Sequence, residues 1–171
     1  MGETLLDEAR AQLRAAKGIT EVFAIVRTAA RTVAGADGAT VVLREGDNCF
    51  YADEDAMSPL WKGQRFPLDD CISGWAMRND EIAVIPDIRL DTRIPQAAYR
   101  PTFVRSLAMV PIGARVPVGA IGAYWAHVRT ATDEEIANVR ALAAAAAHAI
   151  ARVGLAEAPF TPSAMTDQRD A

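Results

Sequence analysis

The sequence contains very little cysteine and histidine. Its 171 residues include two cysteines, Cys49 and Cys71, and two histidines, His127 and His148. The cysteines form no Cys-x-x-Cys pair, and a cytosol would keep them reduced, so we interpret them as ordinary, partly buried residues. Paired metal ligands, a Ser-His-Asp order and a phosphate-binding glycine loop are also absent. We therefore predict that the protein is not an enzyme.

An excess of basic residues is missing too. The net charge is −4 and the pI is about 5.2, which argues against a general nucleic-acid binder. No run of apolar residues approaches the roughly 18 of a membrane span. The first residues, MGETLLDEARAQLR, are charged and amphipathic, unlike a signal peptide. These absences predict a cytoplasmic protein with neither a nucleic-acid nor a membrane partner.

Hydrophobic periodicity predicts two helices at the start of the chain. Apolar residues recur at helical spacing over 4–17, and Gly18 is then expected to close that helix in the left-handed conformation typical of such positions. Thr20 is a suitable N-cap for a second helix, which carries an apolar face as far as Val33.

Strand-like segments follow the helices and are separated by turn residues. Segment 39–53 is predicted to form a hairpin, because two β-branched or aromatic runs flank the turn EGDN. Segments 106–113 and 118–128 are apolar strands joined by a few turn-rich residues, so we expect them to pair antiparallel. Shorter candidates are two strands, within 63–68 and 81–88, and one helix, at 73–79.

The chain is predicted to end in a long helix and a polar tail. Thr132 and Glu135 form a capping-box pattern that opens a helix over 133–153. Residues 155–171 are polar, include two prolines and are predicted to be disordered. The predicted organisation is therefore an N-terminal amphipathic helix for dimerisation or signalling, one central domain and this tail, at 1–18, 19–154 and 155–171.

Hairpin-linked strands with helices at both ends of the chain favour an α+β fold, an antiparallel sheet with helices packed on one face. The segment 54–104 is long and rich in loops. Loops of this length in a compact domain are usually functional, often as a lid or the wall of a binding site.

Three stretches of the sequence resemble the GAF domain, a small sensory module of bacterial signalling proteins. They are CISGWAMRNDEIAVIPDI at 71–88, RIPQAAYRPTFVRSLAMVPIG at 93–113 and PVGAIGAYWA at 117–126. The longer blocks are similar to those of GAF modules that precede histidine kinase cores. The resemblance implies a PAS-related central antiparallel sheet of about six strands, with the N- and C-terminal helices on one face. The loop-rich segment 54–104 would then roof a ligand pocket on the other face.

The resemblance leaves the ligand and any cofactor unidentified, because this fold hosts many functions. Bilin-binding relatives use a Cys-His pair where this chain has Ile94-Pro95. The segment Asp69-Asp70-Cys71-Ile72 matches their second cysteine motif only in part. Haem would need His127 or His148 as an axial ligand. Methionine sulfoxide reductases of the family need several cysteines, and we expect Cys71 to lack a resolving thiol, since 89–104 contains none.

Seven polar or amphipathic side chains are candidates to line the pocket. Arginines can hold a carboxylate or phosphate in a forked geometry, and aromatic walls are usual in small-molecule sites. The alternative for the arginines is that Arg100 and Arg105 pair with Asp87 or Asp91 and only hold the loop in place, and for the tryptophans it is core packing. The candidates are Trp75, Asp87, Arg93, Tyr99, Arg100, Arg105 and Trp125.

The terminal helices suggest a homodimer. Apolar residues of 133–153 follow a coiled-coil seam, and two leucines of the first helix lie one heptad apart. The alternative is that the same stripe packs on the chain's own sheet. The predicted interface residues are Leu6, Leu13, Ile136, Val139, Ala143, Ala146, Ile150 and Val153.

These patterns predict a GAF sensory or regulatory module that binds a small ligand or protein partner and relays its state through the terminal helices. A histidine kinase or another signalling protein would receive the signal. The first alternative is a dimerisation scaffold with an empty pocket. The second is a bilin or haem photoreceptor-type protein, or a thiol redox variant that uses Cys71.

Overall fold

Six antiparallel strands form one sheet in the computed structural model, which describes residues 2–155 and their side chains from Thr4 onward. In spatial order the strands are β3-β2-β1-β6-β5-β4. The predicted sheet of about six strands is confirmed, and β1 and β6, far apart in the chain, pair at its centre. The strands are β1 (Gly38–Glu45), β2 (Asn48–Ala56), β3 (Arg65–Pro67), β4 (Ala83–Ile85), β5 (Ser106–Ile112) and β6 (Gly119–Trp125).

Three long helices cover one face of this sheet, and shorter helices and loops cover the other. On the first face, α2 and α5 pack against the sheet and α1 packs against these two helices, so that all three contribute to one hydrophobic core. The second face packs against α3, α4 and the loops around them to form another core. This arrangement confirms the predicted α+β fold. The helices are α1 (Gly2–Ala15), α2 (Ile19–Val33), α3 (Ile72–Asn79), α4 (Gln96–Tyr99) and α5 (Asp133–Val153).

The alternation of side chains along β6 separates the two cores. Tyr124 and Ala120 belong to the core beneath the loops, whereas Ile121, Ala123 and Trp125 belong to the helix-side core. Gly122 lies between these positions, and a Cβ atom there would collide with the hydroxyl of Tyr124. The absence of a side chain at this position therefore makes room for a buried tyrosine hydroxyl.

The start of α2 differs from the prediction. Its N-cap is Gly18, whose backbone is extended (φ −152°), so Thr20 lies inside the helix and Gly18 does not adopt the left-handed conformation. Glu21 in the first turn accepts a hydrogen bond from the backbone N–H of Lys17 at 3.0 Å. This carboxylate, rather than a threonine hydroxyl, ties the start of the helix to the preceding residues.

The capping box of α5 is confirmed. The Thr132 hydroxyl accepts a hydrogen bond from the Glu135 N–H at 3.1 Å, and the Glu135 carboxylate accepts one from the Thr132 N–H at 2.8 Å. By length and composition alone, α5 could cross a membrane. One side of it packs on the sheet and on α1 and α2. The predicted disordered tail lies outside the described residues, except for Leu155.

The stripe predicted to form a dimer interface faces into the chain's own core. Its side chains on α1 and α5 pack in the helix-side core of the same chain. This packing already removes them from water, so they need no second chain to bury them. Ile136 and Val153 are half-buried beside that core. A dimer formed through these helices would therefore have to use their other residues. The stripe residues that are buried in the single chain are Leu6, Leu13, Val139, Ala143, Ala146 and Ile150.

Candidate functional site

Four aromatic side chains meet beneath the loops, and we call them the aromatic cluster: Tyr51, Trp61, Tyr99 and Tyr124. The ring of Trp61 is central. Its centroid lies 5.4 Å from that of Tyr51, 4.6 Å from that of Tyr99 and 5.5 Å from that of Tyr124. All four residues are buried. Tilted and edge-on ring pairs at these distances are favourable beyond the area that they bury.

The sheet holds two members of the aromatic cluster, and less regular segments hold the other two. Tyr51 lies on β2 and Tyr124 on β6, whereas Tyr99 ends the four-residue α4. Trp61 lies in the loop after β2, where the Glu54 carboxylate accepts the backbone N–H groups of residues 60–62 at 2.8–2.9 Å. The indole N–H of Trp61 donates to the Ala98 carbonyl at 3.0 Å, which joins this loop to α4.

The three tyrosine hydroxyls of the cluster are not equally satisfied. Tyr124 shares a hydrogen bond of 2.8 Å with the Thr40 hydroxyl, and Tyr51 shares one of 3.2 Å with the Ser73 hydroxyl. The Tyr99 hydroxyl is buried and has no hydrogen-bond partner among the described residues. A buried polar atom of this kind is uncommon in proteins and needs an explanation.

Burial keeps these phenols neutral. It is the main cause that raises the pKa values of Tyr51, Tyr99 and Tyr124 above that of an ordinary tyrosine. Neighbouring tyrosines add to the rise for Tyr51 and Tyr99, whereas the charges of Glu54 and Cys71 add to it for Tyr124. All three hydroxyls therefore remain protonated at physiological pH and can donate hydrogen bonds.

The two cysteines lie side by side next to the aromatic cluster. Cys49 is on β2 and Cys71 immediately precedes α3, and their sulfur atoms are 2.9 Å apart. Both are free thiols, since a disulfide bond is about 2.05 Å long. The Ser73 hydroxyl donates to the Cys71 sulfur at 3.3 Å. The expectation that Cys71 lacks a resolving thiol rested on residues 89–104, whereas β2 places the Cys49 thiol beside Cys71 from a distant part of the sequence.

The environments of the two thiols shift their pKa values in opposite directions. The hydrogen bond between the two thiols is the main cause that lowers the pKa of Cys71 to about 7, and the Ser73 hydroxyl and the Gly74 N–H add to it against the opposing effect of burial. The pKa of Cys49 is raised, first by its hydrogen bond to Cys71 and then by burial. Cys71 is thus the thiol that ionises near neutral pH.

Three of the predicted pocket residues lie along the loop-covered side, at different depths. Tyr99 is inside the aromatic cluster. Trp75 and Arg93 are half-buried, with the guanidinium carbon 4.3 Å from the centre of the indole ring. Arg93 also donates to the Asp91 carboxylate at 2.6 and 2.9 Å, and this hydrogen bond is the main cause that lowers the pKa of Asp91. The pair of Arg93 and Asp91 therefore fixes the loop rather than leaving a cation free.

The other predicted polar residues have separate local roles. The Asp87 side chain accepts the Arg89 N–H at 3.0 Å and so caps the single 3-10 turn after β4. Arg100 is exposed, and Arg105 is half-buried with an Nε that lacks a partner among the described residues. Within the described part of the chain, neither arginine forms an ion pair with Asp87 or Asp91.

Trp125 lies on the other face of the sheet from the aromatic cluster. Its indole N–H donates to the Gly35 carbonyl at 3.0 Å, and the Arg129 guanidinium lies 4.4 Å from the ring centre. The prediction that it lines the same pocket as Tyr99 is wrong, because neighbouring residues of a strand point to opposite faces. The core-packing alternative describes this residue.

Neither histidine considered as a haem ligand lies near the aromatic cluster. Of the two positions considered for pigment attachment, only Cys71 carries a thiol beside the cluster. His127 and His148 are exposed, the first after β6 and the second on the outer side of α5. Ile94, at the position where bilin relatives keep a cysteine, is buried in the loop-side core.

The sequence interpretation missed three members of the aromatic cluster. Alternation along β6 could have identified Tyr124, because Trp125 and Tyr124 must face opposite ways. Trp61 lies two residues after Pro59 in an irregular loop, and nothing in its local pattern indicates that it is buried. The pairing of Cys49 with Cys71 also has no local signal, since it depends on where α3 begins relative to β2.

Comparison with known proteins identifies a matching family model and solved structures of similar fold. A family model described as a GAF domain matches residues 16–151. No curated protein matches the chain.

Three solved structures illustrate the likeness of fold. The GAF domain of an Acinetobacter phosphoenolpyruvate-protein phosphotransferase is 13% identical, with 89% of this chain and 94% of that chain covered and a TM-score of 0.77. The free methionine-R-sulfoxide reductase of Neisseria meningitidis is 15% identical, with 89% of each chain covered and a TM-score of 0.76. The chromophore-binding domain of a bacteriophytochrome from R. palustris is 17% identical, with coverage of 90% and 62% and a TM-score of 0.74. At these identities the likeness shows a shared fold.

Proposed function

The chain belongs to the GAF domain family, and on that premise we propose that it is a sensory or regulatory module that binds a small ligand at the aromatic cluster. It passes the bound state to its terminal helices and from there to a signalling partner such as a bacterial histidine kinase. In this proposal the protein is cytoplasmic, homodimeric and regulatory rather than enzymatic. The structural neighbours support a sensory role in general, since one is the chromophore-binding domain of a bacteriophytochrome.

The unpartnered hydroxyl of Tyr99 is the observation that carries this proposal. A buried hydroxyl without a hydrogen bond costs roughly 1–3 kcal/mol, which a core packed only for stability would avoid by using phenylalanine. A ligand that accepts a hydrogen bond from Tyr99 would remove this cost. Tyr51 and Tyr124 have protein partners and so shape the site without requiring such an acceptor.

The surroundings of Tyr99 indicate the chemistry of the ligand. Its neighbours are aromatic rings and apolar side chains, and the three phenols are protonated donors. A small, flat molecule with a hydrogen-bond acceptor fits this combination, because ring faces stack on it while the hydroxyl fixes its orientation. Burial of a charged ligand there would cost far more than burial of a neutral one.

Access to the site would depend on the two aromatic residues outside the sheet. Trp61 and Tyr99 lie in a loop and in a four-residue helix, and the Trp61–Ala98 hydrogen bond couples the two segments. Loops move more readily than strands. Outward movement of this pair would open space between their rings and those of Tyr51 and Tyr124.

β6 offers a short route from the ligand to the helices. Tyr124 faces the aromatic cluster, and the next residue, Trp125, packs in the helix-side core and bonds to Gly35 after α2. At the far end of the helices, the Arg152 guanidinium of α5 donates to the Leu13 carbonyl of α1 at 2.7 Å. A shift of β6 on ligand binding would therefore change the packing of the helices that pass on the signal.

Native mass spectrometry of the full chain purified from its own host tests whether it carries a ligand. We expect a bound small molecule in the wild type and much less in Tyr99→Phe, because the variant removes the hydrogen-bond donor and keeps the ring. The matched control is Trp125→Phe, an aromatic substitution on the opposite face, which should retain the molecule. A ligand-free mass for the wild type, or equal loading of wild type and Tyr99→Phe, would contradict the proposal.

A second candidate function is a scaffold whose loop-side interior is filled by its own side chains. The close packing of the four rings favours it. A ligand-free wild type with a more stable Tyr99→Phe variant would support the scaffold. A visible absorbance band would instead support a pigment or haem.

A further inference from the structure

The paired thiols of Cys49 and Cys71 form a site that ligand binding at the aromatic cluster does not require. We propose that this pair is a reversible redox site, at which a hydroperoxide oxidises Cys71 and Cys49 then closes an intramolecular disulfide. The proposal stands independently of whether the aromatic cluster binds a ligand.

The geometry of the pair supports the closure. The sulfur atoms are 2.9 Å apart, so only a small approach is needed to reach the bond length of about 2.05 Å. The two residues belong to different elements, the strand β2 and the segment that leads into α3. The start of α3 can shift relative to the sheet more easily than two strands of the sheet can shift past each other, which gives the pair the freedom to close.

The surroundings distinguish the attacking thiol from the resolving one. The Cys71 sulfur accepts a hydrogen bond from the Ser73 hydroxyl and is 5% exposed as a residue, whereas Cys49 is fully buried. The Ser73 hydroxyl also shares a hydrogen bond with the Tyr51 hydroxyl, and this second contact holds the Ser73 side chain in position beside the Cys71 sulfur. The lowered pKa of Cys71 and the raised pKa of Cys49 agree with these roles.

The narrow access selects a small oxidant. Only an edge of Cys71 reaches solvent, and the backbone carbonyls of Pro67 and Leu68 lie 3.5 and 3.8 Å from its sulfur. Hydrogen peroxide is small enough to approach such an edge, whereas a bulky disulfide such as oxidised glutathione is not.

The reaction balances with one peroxide for each chain. The Cys71 thiolate attacks one peroxide oxygen, so that an S–O bond forms, the O–O bond breaks and the departing hydroxide takes a proton to become water. The Cys49 thiol then loses its proton and its sulfur attacks Cys71, so that the S–S bond forms and the S–O bond breaks with release of a second water. Two thiols have been oxidised to a disulfide, and the peroxide has been reduced to two waters.

The disulfide would change the wall of the aromatic cluster. It would join β2 covalently to the segment that carries Ser73, and Ser73 hydrogen bonds to Tyr51. The bond would also close the loop from Cys49 to Cys71, which restricts the unfolded chain and stabilises the folded one. Oxidation is therefore expected to raise the midpoint temperature of thermal unfolding by several degrees.

Intact-mass measurement on the reduced full chain tests the proposal directly. A few equivalents of hydrogen peroxide should lower the mass by two hydrogens, and dithiothreitol should restore both the mass and the lower thermal midpoint. Non-reducing electrophoresis should show that the product is a monomeric chain. A product that gains oxygens without losing the two hydrogens, or one linked only between chains, would overturn the proposal.

Two serine variants separate the roles of the cysteines. In Cys49→Ser the oxidised Cys71 cannot be resolved, so a dimedone adduct on Cys71 should accumulate. In Cys71→Ser the remaining Cys49 should react with peroxide at least tenfold more slowly. Equal rates for the two variants would overturn the assignment. If either variant fails to fold, the wild type is treated instead with less than one equivalent of iodoacetamide. We expect Cys71 to be alkylated before Cys49. Preferential labelling of Cys49 would contradict the proposal.

Discussion

The hydroxyl groups of Tyr99 and Tyr124 are both buried, but they differ in their hydrogen bonding. Tyr124 is paired with Thr40 at 2.8 Å, whereas Tyr99 has no partner among the described residues. The two residues therefore form a matched pair, in which the same chemical change should destabilise the protein at Tyr124 but not at Tyr99.

Replacement of Tyr99 by phenylalanine should leave the protein equally stable or raise its free energy of unfolding by up to about 1 kcal/mol, because an unsatisfied hydroxyl is removed. Tyr124→Phe should lower that free energy by about 1 kcal/mol or more, since the Thr40 hydroxyl loses its partner. Urea unfolding of both variants and the wild type measures the difference. Clear destabilisation by Tyr99→Phe would show that its hydroxyl has a stabilising partner in the folded protein.

Cys71 should react as a thiolate at neutral pH. Its pKa is lowered from 9.0 to about 7, so the thiolate fraction rises through pH 7 instead of through pH 9. We expect the rate of alkylation of Cys71 by iodoacetamide to reach half of its plateau near pH 7. Peptide mapping after timed alkylation measures this rate, with the urea-unfolded chain as the control, whose midpoint should lie near that of an ordinary thiol.

At the scale of an element, the loop after β2 depends on one carboxylate. Glu54 accepts the N–H groups of Leu60, Trp61 and Lys62, which fixes the segment that places Trp61 in the aromatic cluster. Hydrogen bonds to a charged acceptor are stronger than neutral ones, so this loop is better ordered than its lack of regular structure suggests.

Glu54→Ala should release this loop and lower the free energy of unfolding by roughly 2 kcal/mol, since three donors lose their acceptor. Hydrogen exchange should show faster exchange at the amides of Leu60, Trp61 and Lys62. The control is Glu45→Ala, which removes an ion pair with Arg65 at the other end of the hairpin. Unchanged exchange at 60–62 in Glu54→Ala would refute the role of the carboxylate.

At the scale of the whole molecule, the proposed dimer must use the outer side of α5. Ile150 is 6% exposed within the single chain, so a charge placed there would unfold the core rather than report on association. Ala144 is exposed and lies on a ridge between an apolar groove against α1 and another groove beside β5. Its small side chain would let a second copy of the helix approach closely.

Sedimentation velocity of the full chain should show a dimer at tens of micromolar, and Ala144→Glu should shift it to a monomer without loss of helix content. The control is Ala137→Glu, an exposed alanine nearer the start of the same helix, which should leave the dimer intact. A monomeric wild type would refute the dimer. Dissociation by both variants would place the interface elsewhere along α5.

Local pattern in the sequence determined which segments form helices and strands. The spacing of apolar residues predicted α1, α2 and α5, and the Thr132–Glu135 pattern predicted how α5 begins. Such features depend on residues within about one turn of each other, so the chain carries them without any tertiary contact. The α+β order and the resemblance at 71–126 followed from the same local information.

Tertiary structure alone decided which residues meet. The pairing of β1 with β6 sets the depth of Tyr124, and the path of the loops brings Trp61 and Tyr99 to it. The contact between Cys49 and Cys71 and the inward direction of the α5 stripe also depend on packing between distant segments. These contacts are fixed by the burial of apolar area across the whole fold, a quantity that no short stretch of sequence contains.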